Sequence, residues 1–181
     1  MIEKELSRYY IRILEKVKSV AGFTFIEILV VITVISILSG IGIAGFVSFS
    51  RSQTLNTAVN DVISVLNLAK SRSGSQVKPD YLCLNTDTLS GYEVKISVAT
   101  PNYEMDVRCT RGGISLILPP VLSKKLPNGY SFDSTSGTSF FFPLLIGGVV
   151  RTGGTTIIIK DAYGSSKTIT VDASGNITVS N

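Results

Sequence analysis

Between Phe23 and Ser50 the chain carries a single charge, Glu27, near the start of an otherwise apolar run. The run is long enough to span a bilayer, for which about 20 residues suffice. A carboxylate inside such a run costs roughly 2.5–3.5 kcal/mol at the centre of a membrane helix and less near its edge, so it calls for a partner.

The flanks set an orientation. Before the run, Lys4, Arg8, Arg12, Lys16 and Lys18 outnumber Glu3, Glu5 and Glu15; after it, Arg51 stands alone until Lys70. The bias toward Lys and Arg on the N-terminal side predicts a cytoplasmic N-terminus and an exported C-terminal part. A cleaved secretory signal would have a shorter apolar core followed by a small-x-small site. A plain signal anchor fits the length but explains neither Glu27 nor Gly22 directly before Phe23.

The segment Gly22-Phe23-Thr24-Phe25-Ile26-Glu27-Ile28-Leu29-Val30-Val31-Ile32 resembles the type IV prepilin cleavage and methylation motif. The resemblance implies that a prepilin peptidase cuts after Gly22. It implies that the new terminus, Phe23, is N-methylated, and that Glu27 is the acid of the motif. The amine created at Phe23 and the carboxylate of Glu27 on a neighbouring subunit would then neutralise one another, since each is costly to bury unpaired. The other reading leaves Glu27 solvated at the headgroup level.

Small residues recur within the run at Ser36, Gly40 and Ala44, one helical face that permits close helix contact. Gly40, Gly42 and Gly45 each weaken a helix by about 1 kcal/mol relative to Ala. Local melting during packing and simple tolerance of Gly in membrane helices both fit. The helical pattern continues past the run. Leu55, Ala58, Val59, Val62, Val65, Leu66 and Ala69 keep a three-to-four spacing, with Asn56, Asn60, Asp61, Asn67 and Lys70 on the other face. One helix is predicted from Phe23 to Arg72, roughly 75 Å long, apolar all round in its first half and amphipathic in its second. Ser73-Gly74-Ser75 is expected to end it.

Beyond Pro79 the period falls to two. Strands are expected at Tyr81–Leu84, Tyr92–Val98, Met105–Thr110, Ile114–Leu118, Tyr130–Phe132, Ser139–Phe142, Thr155–Lys160, Lys167–Val171 and Asn176–Val179. Turns are expected at Ser90-Gly91, Pro101-Asn102, Gly112-Gly113, Pro127-Asn128-Gly129, Gly153-Gly154, Tyr163-Gly164 and Ser174-Gly175-Asn176. The apolar stretch Leu144–Val150 reads either as a buried strand or as an exposed contact with a neighbouring subunit. The fold class is α+β. A long N-terminal helix spans the membrane with its first half and packs its second half against an antiparallel β-sheet head, as in pilins. The divisions are a leader at 1–22, a transmembrane or filament-core helix at 23–50, its amphipathic continuation at 51–73 and a β-rich head at 74–181.

The head is similar to the GspH/FimT group of minor pilins and pseudopilins. The resemblance rests on Leu55 to Ala69 running into Ser71-Arg72-Ser73, then Tyr81-Leu82-Cys83, Gly91-Tyr92-Glu93-Val94, Leu126-Pro127-Asn128-Gly129, Phe140-Phe141-Phe142-Pro143 with Gly147, and Ser174-Gly175-Asn176-Ile177. It implies a structural subunit of a type IV pilus or a type II secretion pseudopilus. Its partners would be prepilin peptidase, other pilin or pseudopilin subunits and the inner membrane. The final location would be a periplasmic or cell-surface filament. Some FimT-like members bind DNA through basic residues near the last hairpin. Family members often end that hairpin Gly-Arg, whereas this chain has Gly175-Asn176. Lys124, Lys125 and Arg151 are the DNA-contact candidates, and with Lys160 and Lys167 they read either as a phosphate patch or as a solvated surface.

The chain has no His and no Trp. Without His, the commonest general base and zinc ligand are missing, and no Ser/His/Asp arrangement is available. No phosphate-binding Gly loop is present. We expect no enzyme activity, no cofactor and no metal. Asp161 and Asp172 read as turn formers. Cys83 and Cys109 would lie in an oxidising compartment, either as two buried thiols or as a disulfide stabilising by about 3 kcal/mol in the chain-entropy model.

Overall fold

The computed structural model describes residues 22–84, 86–145 and 147–180. The proposed leader, apart from Gly22, lies outside the described residues. The chain divides into two compact units, one ending at Ser48 and the other beginning at Phe49.

Helix α1 runs over Phe25–Gly74. In the first unit, each described large apolar side chain from Phe23 to Ile43, and likewise Phe46 and Val47, is exposed. The hydroxyls of this half are satisfied by the helix itself: Thr33 Oγ1 donates to Val30 O at 2.7 Å and Ser36 Oγ to Ile32 O at 2.8 Å. That suits an apolar solvent, where a backbone or side-chain polar group must find its partner internally.

The second unit holds the rest of α1 and ten strands among the described residues. β1 (Thr88–Ser97), β2 (Asn102–Arg111), β3 (Ile114–Ile117), β6 (Ser139–Pro143) and β7 (Val150–Thr152) form one antiparallel sheet in the order β3-β2-β1-β6-β7, with β4 (Leu122–Lys125) pairing beside β3 on β2. β5 (Tyr130–Phe132), β8 (Thr156–Asp161), β9 (Ser166–Val171) and β10 (Ile177–Ser180) form a second sheet in the order β10-β9-β8-β5.

All seven apolar positions read from the helical spacing, Leu55 through Ala69, are buried. They join Tyr92, Val94, Met105, Val107, Phe140 and Phe142 of the first sheet, and Phe132, Ile157, Ile159, Ile169 and Val171 of the second, in one core. Alternation does the sorting, since side chains two apart share a sheet face. Hydrogen bonds fix this part of α1 near both ends. Tyr130 Oη donates to Arg51 O at 3.0 Å, Lys70 Nζ to Gly175 O at 2.8 Å and Ser73 Oγ to Phe142 O at 2.7 Å.

Three local expectations are corrected, and the helix stop is refined. The helix ends at Gly74, within the expected Ser73-Gly74-Ser75, but Gly74 is not the left-handed residue that closes it. Gln76 takes the left-handed conformation (φ 52°) instead. Its N–H bonds to Ser73 O at 3.2 Å and the Val77 N–H to Arg72 O at 3.0 Å, a Schellman closure with Gln where Gly is usual. Tyr81–Leu84 is not a strand. The N–H groups of Leu82 and Cys83 both turn back to Pro79 O, and Cys83 is held against β2. Ser90-Gly91 is not a turn but a bulge within β1, where the register with β2 slips between Leu89 and Gly91. A Cβ on Gly91, at φ 151°, would come within 2.2 Å of Phe142 O, so glycine lets β6 close on β1. Finally, among the described residues of Leu144–Val150 only Val150 is in a strand, as the first residue of β7, and both it and Leu145 are exposed. Of the two readings for that stretch, the buried strand is excluded.

β4 and β7 were not expected. β4 follows Pro119-Pro120 and carries Lys124-Lys125, and β7 has only three residues between Gly pairs. Neither shows a period-two pattern long enough to read.

Candidate functional site

The N-terminus of α1 is built by a capping spacing that the sequence reading passed over. Thr24 precedes the first helical residue, and its Oγ1 accepts the Glu27 N–H at 3.3 Å, while Thr24 O accepts the same N–H at 3.1 Å. Thr-x-x-Glu is the capping-box pattern, in which the acid at the third helical position faces the positive end of the helix dipole. Glu27 is therefore placed in the first turn. Gly22, Phe23 and Glu27 are all exposed. Among the described residues the Glu27 carboxylate has no hydrogen bond or ion pair. The motif is thus an exposed apolar helix end with an acid one turn inside it.

Cys83 and Cys109 come together. Both are fully buried and their Cα atoms lie 6.1 Å apart, within the span a disulfide bridges. Beside them Arg111 at the end of β2 makes a two-pronged contact to Asp87, Nε to Oδ1 at 2.7 Å and Nη2 to Oδ2 at 2.8 Å. The Arg111 guanidinium holds the buried Asp87 carboxyl down at about 2. Lys78 Nζ donates to Asp87 O at 2.8 Å. The Lys78–Asp87 loop is therefore pinned at several points.

The basic residues are not brought together. β4 and β7 lie at opposite sides of the first sheet, with β2, β1 and β6 between them. At about 4.8 Å per strand, Lys124-Lys125 and Arg151 are separated by roughly 19 Å across the sheet. Each is otherwise engaged or isolated. Lys124 Nζ lies 3.9 Å from Asp61 of α1. Arg151 Nη1 donates to Val171 O at 2.9 Å and so links the two sheets. Lys160 pairs with Asp133 at 2.9 Å, and that ammonium is the main reason the Asp133 carboxyl is held below its ordinary range. Lys167 is opposite Ile159 and faces away from Lys160, its register neighbour by one.

A second polar group emerged only in the structure. On the face of the first sheet away from the core, Glu93 is buried and accepts from Arg108 Nε and Nη2, both at 2.8 Å, and from Ser139 Oγ. Neighbouring Asp106 takes Lys95 Nζ at 2.6 Å, and the Arg108 guanidinium stacks 4.7 Å over the Phe141 ring. Glu93/Lys95 and Glu104/Asp106/Arg108 alternate visibly in the sequence. What it lacked was the β1–β2 register that sets Glu93 opposite Asp106. Among the described residues no group of three His, Cys, Asp or Glu is arranged to hold a metal. Asp161 and Asp172 serve as turn formers, Asp161 Oδ1 accepting from the N–H groups of Tyr163 and Ser165, and Asp172 Oδ1 from that of Asn176.

Residues 17–43 match the family described as Prokaryotic N-terminal methylation motif. The match supports a prepilin-type N-terminus. The match supports processing by prepilin peptidase and assembly with other pilins. The prepilin motif together with one helix long and apolar enough to cross a membrane fits anchoring before assembly. The matched span covers the residues read above as processed, Gly22 and Phe23, and Glu27. No curated protein and no solved structure matches the chain.

Proposed function

We propose that the protein is a minor pilin or pseudopilin of the GspH/FimT type, a structural subunit and not a catalyst. The chain is held in the inner membrane with its N-terminus in the cytoplasm and its β-rich head exported. Residues 1–22 are removed, Phe23 becomes the N-methylated terminus, and residues 23–50 form the span that passes from lipid into the filament. Residues 51–73 continue the helix into the head, 74–181. The exported head carries a Cys83–Cys109 disulfide.

One observation carries the reading. The methylation motif lies on the one helix end whose apolar side chains have no partner within the described chain, with Glu27 one turn from the terminus that cleavage would create. A positive amine entering that apolar bundle is stabilised by the Glu27 carboxylate of the adjoining subunit, because two buried charges of opposite sign cost far less than either alone. Glu27 also stands at the dipole's positive end in its own helix, so a substitution must separate the two roles. Glu27→Gln keeps a capping-box side chain and removes the charge. Filament incorporation, scored in cells that otherwise assemble fibres, should fall sharply for Glu27→Gln and Glu27→Ala alike. Normal incorporation of both removes the charge-pairing reading. The DNA-binding alternative needs a joined basic surface, and the separation of Lys124-Lys125 from Arg151 gives it no support.

A further inference from the structure

Where the uncharged run ends, the head brings two tyrosines to one arginine. Glu27 and Arg51 bound a stretch with no charge at all, Ile28 to Ser50, within a single helix. At 1.5 Å per residue this stretch is about 35 Å long, against a hydrocarbon core of about 30 Å. Arg51 is thus the first cation at the far boundary of the span. Its Cζ lies 3.7 Å from the centroid of the Tyr163 ring, and its carbonyl accepts the Tyr130 hydroxyl at 3.0 Å. Tyr163 caps the β8–β9 hairpin and is 70% exposed despite that contact. The tip that presents it is stiff. Asp161 Oδ1 takes the N–H groups of Tyr163 at 2.9 Å and Ser165 at 2.8 Å, and the Asp161 N–H bonds to Ser165 O at 2.9 Å.

We propose that Arg51, Tyr130 and Tyr163 form a collar that seats the exported head in the headgroup layer of the bilayer. Tyrosine is enriched at this depth because its ring is apolar and its hydroxyl wet. An arginine at a helix boundary keeps its stem in the apolar zone and its guanidinium among lipid phosphates. The occupant is the lipid phosphate and carbonyl layer, since it begins where the uncharged run stops. The contact sets how deep the subunit rides before it leaves the membrane, and its exposed Tyr163 face would be released on assembly. The inference rests on the membrane-anchored reading of the span.

The chain has no Trp, so Tyr163→Trp in the full-length protein gives a single fluorescent reporter in the collar. Tyr81→Trp, at a residue 74% exposed beyond the far end of α1, gives the reference. Each is reconstituted in vesicles of phosphatidylethanolamine and phosphatidylglycerol, with and without a lipid carrying a headgroup nitroxide. The expected result is co-flotation of both, with blue-shifted, nitroxide-quenched emission from Trp at 163 and unquenched emission from Trp at 81. Co-flotation with equal quenching at both sites, or none at either, overturns the collar and leaves the anchor standing. Failure to float with the vesicles overturns both.

Discussion

The two halves of α1 share one helical geometry and differ in what surrounds them. In the first half each described large apolar side chain from Phe25 to Val47 is exposed. From Leu55 to Ala69 a single stripe is buried and the opposite face, with Asn60, Asp61, Asn67 and Lys70, is exposed. Helix formation alone therefore says little about environment. The angular spread of apolar residues decides it: a stripe about 100° wide asks for a core on one side, and an all-round distribution asks for lipid or a bundle of other helices. The methylation motif sits on the half whose apolar side chains are exposed, and the core that makes the head a folded unit takes in the other half.

The sharpest way to break this comparison is to delete the same side chain from each half. Leu66→Ala should cost the head about 2–5 kcal/mol, as expected for a fully buried leucine, read from denaturant unfolding of the detergent-solubilised protein. Leu38→Ala, at a residue 63% exposed, should shift the same transition by less than about 0.5 kcal/mol. Equal losses would mean that the first half also packs within its own chain.

Removing the proposed Cys83–Cys109 link sharpens the head's side of the contrast. The Cys83→Ala/Cys109→Ala double variant should lose about 3 kcal/mol in the same assay under non-reducing conditions. A loss that is unchanged when the unsubstituted protein is assayed with reductant would show that the link is not present.

The periodic parts of this architecture were legible in the residues. The seven apolar positions of the stripe from Leu55 to Ala69 are all buried, and β5 covers the three residues that aromatic alternation marked. The N-terminal motif was legible because it is local. Features that depend on partners distant in sequence were not. Nothing in Gly91 distinguishes a turn glycine from one that admits the Phe142 carbonyl, because the difference lies in β6. Arg151 looks like a free basic residue until β9 supplies Val171 O. Thr24 could have been found, since Thr-x-x-Glu before an apolar helix is a sequence signal. Gln76 could not, because its left-handed φ is imposed where a glycine two residues earlier looked like the stop.

That helix end yields a smaller prediction. Gln76→Gly should stabilise the head by about 1 kcal/mol, because glycine takes a left-handed φ without a Cβ penalty. A destabilised variant would mean that the Gln76 side chain contributes more than its backbone strain costs.

The last effect is confined to acid. The Asp87 carboxyl, held at about 2 by Arg111 against an ordinary 3.8, favours the folded state above pH 3.8. That contribution is lost as the pH falls from about 4 towards 2 and the group protonates. Asp87→Asn should therefore flatten the decline in stability over that window, measured by thermal unfolding at stepped pH, with Leu38→Ala leaving it unchanged. An unaltered decline in Asp87→Asn would assign the acid sensitivity elsewhere.

The central claim concerns the chain end from which the exposed half of α1 begins. Intact and N-terminal mass spectrometry of the protein purified from its own cells reads that end directly. The account predicts a chain that starts at Phe23 with a methylated amine. Protein that still begins at Met1, in cells whose prepilin peptidase is active, would contradict it.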